Sequence, residues 1–136
     1  MQDFSIFTDG AARGNPGPAA AAFLLVQNEK LLHKQNFFLG NRTNNQAEYQ
    51  AIIKALEVAK GYTKDSIVLF SDSELVIKQL KGEYKVKSPH LRTLNHEVIT
   101  QIKYFSSVKF IHAPRTNSWI KKADKLCNVL LNQLEK

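Results

Sequence analysis

The chain has 136 residues, 43% hydrophobic and 23% charged. That is a globular composition with length for one sizeable core and too little for two ordinary domains, so residues 1–136 are expected to form a single domain. Nineteen Lys and Arg against 12 Asp and Glu leave a formal charge of +7, which points to a polyanionic partner bound through counterion release from phosphates. The longest apolar run, residues 19–26, is too short to cross a bilayer, and the lone Cys127 excludes an internal disulfide. With no signal-like opening segment, a cytoplasmic monomer is the expectation.

Residues 4–9 are rich in β-formers and meet Gly10, predicting a first strand that ends with Asp9 at its tip. Residues 19–27 and 31–39 flank a three-residue connection, Asn28, Glu29 and Lys30, which predicts an antiparallel hairpin. Thr43 and Gln46 have capping-box spacing, and the helical recurrence of Ala47, Ala51, Ile52, Ala55, Leu56 and Ala59 follows, with Glu48 expected in the first turn and aimed at the sheet. Residues 66–71 predict a buried strand ending at Asp72, then a short helix over 73–81 stopped by Gly82. Ser88 and Pro89 form a helix start ahead of the stripe Leu91, Leu94, Val98, Ile102 and Phe105. Residues 108–113 predict the last strand. A polar loop containing Trp119 and Ile120 follows, then a C-terminal helix with Asp124 in its first turn and Cys127 on its apolar side.

Three strands followed by helices alternating with two more argue for an α/β sheet with helices on both faces. Ligands of such sheets gather outside the strand ends, where Asp9, Glu48, Asp72 and Asp124 are all placed. Four carboxylates in one cleft repel one another unless cations neutralise them, and hard oxygen ligands favour Mg²⁺ or Mn²⁺. Taken singly, Asp72 and Asp124 are also ordinary helix-start residues and Glu48 an ordinary first-turn acid. An acid between a hydrophobic strand and Gly10 has no such stabilising explanation.

Thr8-Asp9-Gly10-Ala11 with Gly14-Asn15-Pro16-Gly17-Pro18, Thr43-Asn44-Asn45-Gln46-Ala47-Glu48, Ser71-Asp72-Ser73 and Ala123-Asp124 occur in that order across almost the whole chain. In this the sequence resembles the type 1 ribonucleases H. The resemblance implies a ribonuclease H-like fold with a five-stranded mixed sheet. It also implies endonucleolytic hydrolysis of the RNA strand of RNA/DNA hybrids, leaving 5′-phosphate and 3′-hydroxyl ends. The implied mechanism uses two metal ions, Mg²⁺ with Mn²⁺ as an alternative, with Asp9 bridging both, Glu48 and Asp72 on the leaving-group side and Asp124 on the nucleophile side. Asn15, Asn44 and Asn45 match family positions that contact the RNA minor groove, where the 2′-hydroxyl separates RNA from DNA. Thr43 matches a position that helps hold a phosphate of the DNA strand.

Lys78, Lys81, Lys85, Lys87 and Arg92 stand against Glu83 alone in residues 78–92. This short basic connection resembles the compact members that lack a long, tryptophan-containing protrusion. His112 is read as a structural strand residue, and His33, His90 and His96, without ligand spacing, as surface residues. Arg115 and Asn117 resemble residues that some members carry in place of a mobile loop histidine. Asn117 lies seven positions before Asp124, however, so the loop between them reads as lengthened. That departure leaves an alternative open: a hybrid-binding, nuclease-like module of feeble activity.

Overall fold

A computed structural model of the chain describes residues 4–134. The strands β1 (Phe4–Ala12), β2 (Gly17–Gln27) and β3 (Lys30–Arg42) come first, followed by helix α1 (Asn44–Ala59), strand β4 (Ser66–Ser71), helices α2 (Glu74–Leu80) and α3 (Pro89–Ile102), strand β5 (Ser107–His112) and helix α4 (Ser118–Leu134). They build one five-stranded sheet in the order β3-β2-β1-β4-β5. The first three strands pair antiparallel, and β4 pairs parallel with both β1 and β5. The mixed sheet expected from the element order is therefore the one observed.

Residue alternation assigns the two faces. Phe4, Ile6, Phe23, Leu25, Ile67 and Leu69 pack with Ile52, Leu56, Val76, Ile77 and Val98 from α1, α2 and α3. Phe7, Leu24 and Val26 pack on the opposite face with Ile120, Trp119 and Leu126 of α4. Strand β2 is covered on both sides, so its run Ala19–Ala22 is fully buried, and small side chains let α1 and α4 both approach.

Several boundaries move from the sequence expectation, each for a physical reason. The hairpin connection has two residues instead of three: Gln27 pairs with Lys30, and Asn28 (φ 53°) and Glu29 (φ 61°) are both left-handed, the turn whose twist matches antiparallel strands. Strand β1 does not end at Asp9 but runs on to Ala12 against β2. Gly10 does not terminate the strand; it admits helix α1, since a Cβ there would lie 2.3 Å from the Ala47 carbonyl carbon. Glu48 is accordingly the fifth residue of α1 and not in its first turn. At the other end of the chain Trp119 and Ile120 are helical, which places Asp124 in the second turn of α4. His33 is also less superficial than expected, half-buried with its ring 5.7 Å from that of Phe23.

Candidate active site

The parallel ladder between β1 and β4 closes with Thr8 opposite Ser71, so Asp9 and Asp72 are the equivalent next residues where the two strands part, Asp9 still within β1 and Asp72 just past β4. Asp72 leaves the sheet at once because Ser73 caps α2 with its hydroxyl, which accepts the Val76 N–H. Glu48 arrives from above through α1, whose start is secured by the full capping box of Thr43 and Gln46. One carboxylate oxygen each from Asp9, Glu48 and Asp72 can be chosen so that all three lie within 4.8 Å of one another. With Asp124, Asn44, Asn45, Ser73, Arg115 and Lys121, these acids line a cleft of about 400 Å³.

Electrostatics at this point oppose the protein on its own. Burial, then the charges of Asp72 and Asp124, push the Asp9 carboxyl up to about 8. Burial, then Asp9 and Asp72, hold Glu48 well above the usual carboxylate range, although the Gly10 backbone N–H and the Ser71 hydroxyl (3.3 Å) both donate to it. Among the described residues the buried Oδ2 of Asp9 meets no donor; its polar neighbours Glu48 and Asp124 are acceptors when ionised. A hard divalent cation fits this donor set, because it satisfies the orphaned oxygen and cancels the repulsion together. Among the described residues Asp72 has one cationic partner, Arg115, at 3.4 Å, and that side chain is 91% exposed.

The residues expected to recognise substrate divide into two groups. Asn44 and Asn45 line the cleft, whereas Asn15 and Thr43 are not in its lining and instead bond to the start of α1. Asn15 Oδ1 accepts the Asn44 N–H at 3.0 Å, and Asn44 Oδ1 accepts the Ala12 N–H at 2.9 Å. The turn after β1 is thereby fastened to the start of α1. His112 closes β5, and its ring nitrogen lies 3.1 Å from the Asp72 carbonyl oxygen, bracing the strand end next to the site.

Asn117, seven residues before Asp124, caps α4: its Oδ1 accepts the N–H groups of Trp119 and Ile120 at 2.9 and 3.1 Å. The apparent loop lengthening is an early helix start, held by Trp119 and Ile120 against the sheet. Lys121 and Ser71 were not singled out from sequence. Lys121 sits one turn before Asp124 on the same face, a spacing that could have flagged it. The role of Ser71 depends on contact with another element and had no local signal. Residues 81–88 connect α2 to α3 with no further helix, as in the compact form expected.

Residues 7–129 match a family model described as reverse transcriptase-like. The chain is 39% identical over 127 residues to ribonuclease HI of Halobacterium salinarum, covering 93% of this chain and 63% of that protein. It is 33% identical over 125 residues to a bifunctional protein of Mycobacterium tuberculosis, of which it covers 34%. The chain thus spans less than two thirds of these relatives' length. Among solved structures, RNase H1 from H. salinarum superposes with a TM-score of 0.91 at 38% identity, over 96% of this chain and 98% of that one. LC11-RNase H1, solved in complex with an RNA/DNA hybrid, superposes with a TM-score of 0.90 at 33% identity, over 98% and 100%. The chain belongs to the type 1 ribonuclease H family.

Proposed function

We propose that this chain is an endonuclease that hydrolyses the RNA strand of RNA/DNA hybrids with the help of divalent cations, Mg²⁺ or alternatively Mn²⁺, and leaves 5′-phosphate and 3′-hydroxyl ends. The observation that carries the reading is the meeting of Asp9, Glu48 and Asp72 within 4.8 Å, with one buried oxygen of Asp9 lacking a donor among the described residues. Asp9, Glu48, Asp72 and Asp124 would hold the cations. When bound, two such ions lower the pKa of an attacking water and offset the charge that develops on the leaving 3′-oxygen. Asp9, central in the cluster and the most deeply placed of the strand-borne acids, is the natural bridging ligand. Asp124, on the exposed wall formed by α4, would serve the ion that activates water.

Recognition of RNA falls to the start of α1. Asn44 has its carbonyl oxygen engaged by Ala12, which leaves its NH₂ free to donate to a 2′-hydroxyl; Asn45 stands beside it in the cleft. Asn15 holds the Asn44 backbone in place. Thr43 stands at the N-terminus of α1, where helix dipole and amides favour a phosphate. The reading of a feeble binding module drew on the departure before Asp124, and that departure is a capped helical turn that leaves Asp124 in the cleft wall.

Cleavage of a labelled hybrid beside matched RNA and DNA duplexes, with Mg²⁺, with Mn²⁺ and with chelator, tests the proposal. Hybrid-selective, cation-dependent scission that Asp9→Asn reduces by orders of magnitude, with hybrid binding retained, is the expected result. A protein that binds hybrid and leaves it uncut with either metal would refute it. Asn45→Ala is expected to narrow the preference for RNA over DNA strands.

A further inference from the structure

Asp124 is the one candidate acid outside the tight carboxylate cluster, and it is exposed on α4. Asp124 also adjoins the Asp9 carboxyl, but once both acids are ionised they repel, and the side chain then stays aimed at the cleft only if a donor holds it. Two residues from distant parts of the chain do so. Asn128, one turn further along α4, donates from Nδ2 to Asp124 Oδ2 at 3.2 Å. Its Oδ1 accepts from the Arg13 guanidinium at 3.2 Å, and the same guanidinium nitrogen reaches Asn132 Oδ1 at 2.9 Å.

The direction of this chain of bonds is dictated by chemistry. A guanidinium only donates and an ionised carboxylate only accepts, so the amide between them can satisfy both in one orientation alone, oxygen to Arg13 and NH₂ to Asp124. Arg13 therefore fixes the amide of Asn128, which fixes the carboxylate of Asp124. An amide donor does this without cancelling the negative charge that a cation needs, as a Lys or Arg against Asp124 would. Arg13 also lies four residues beyond Asp9, just past the end of β1, and Asn128 and Asn132 are one turn apart on α4. The relay thus ties the strand that carries one candidate ligand to the helix that carries another.

We propose that Asn128, oriented by Arg13, is a positioning residue that holds Asp124 in register for the outer cation of the cleft. The proposal rests on the metal-dependent reading above, and partners that orient ligands in this way typically change metal affinity or turnover by about 10–100-fold. Asn128→Ala is expected to raise the Mn²⁺ concentration at half-maximal thermal stabilisation about tenfold and to lower kcat on a labelled hybrid, with KM for the hybrid unchanged. Arg13→Ala should move the same midpoint less, about threefold, and should add little on top of Asn128→Ala, because the two act through one bond chain. Arg13→Lys, which can still donate to Asn128, should restore most of the effect.

A titration of melting temperature with Mn²⁺ alone, run on wild type and variants beside steady-state cleavage, reads both levels. A wild type whose melting temperature ignores Mn²⁺ would refute the metal-dependent reading itself. A responsive wild type matched by Asn128→Ala in midpoint and kcat would overturn the relay alone, as would fully additive effects of Arg13→Ala and Asn128→Ala. If Asn128→Ala does not fold, Arg13→Ala at its exposed position decides: an unchanged midpoint refutes the relay, and a shift rescued by Arg13→Lys supports it.

Discussion

Replacing Asp9 by Asn should stabilise the protein in the absence of metal, by an amount that depends on pH in a calculable direction. Asp9 is 5% exposed, so solvent does little to screen its surroundings, and its carboxyl is raised from 3.8 to about 8. A raised carboxyl means that the folded state keeps a proton the unfolded chain has lost. The associated stability is fully present below about pH 4 and disappears as pH climbs to about 8. Four units at about 1.4 kcal/mol each set a ceiling of about 6 kcal/mol. Glu48 shares the strain, and roughly half the ceiling, about 3 kcal/mol at pH 8, is the expected gain, since an Asn amide also supplies Glu48 with a donor. For a domain of this size that is about 9 °C in melting temperature. Thermal melts of wild type and Asp9→Asn in chelator at about pH 4 and pH 8 should show a gain at the higher pH alone. Millimolar Mn²⁺ should close the gap at pH 8 by raising the wild type more than the variant, because ligand binding to the native state stabilises it. A gain of the same size at both pH values, or a loss at pH 8, would refute the electrostatic argument.

Other elements of the fold make equally definite demands. Gly10→Ala would drive a methyl into backbone atoms of Ala47 and Glu48 at 2.3–2.4 Å; urea denaturation should report a loss of about 3 kcal/mol, and the Mn²⁺-induced stabilisation should weaken as Glu48 is displaced. Tyr49→Phe removes the hydroxyl that donates to the buried Gln79 at 2.8 Å and accepts from Asn95 at 3.2 Å, at a cost of about 1–3 kcal/mol in the same assay and with kcat unchanged. Cys127, fully buried and 3.5 Å from the Asp9 carbonyl oxygen, has its thiol pushed far up by burial. A thiol reagent should therefore modify it no faster than the protein unfolds, and labelling of the native state at a faster rate would contradict that packing.

Features whose cause lies within one turn or one strand were legible in the sequence. The capping box of Thr43 and Gln46, the Ser88-Pro89 helix start and the apolar stripes of α1 and α3 all depend on neighbours a few residues away, and all stand in the structure. The four acids, read with Asn44 and Asn45, converge on one cleft as that reading implied. Apart from the length of the Asn28-Glu29 turn, what sequence misjudged involved elements far apart in the chain. Gly10 reads as a strand terminator because local rules register its flexibility; only the approach of α1 reveals that its missing Cβ is the reason it is there. Trp119 and Ile120 read as loop because their helix is held by Asn117 at one end and by packing on Phe7 and its neighbours, a contact across more than a hundred residues of chain. Arg13 and Asn128 are 115 positions apart and carry no recognisable motif. Their bond chain to Asp124 exists because the sheet brings β1 beneath α4, and a hydrogen bond is decided by ångströms of approach that no local pattern encodes.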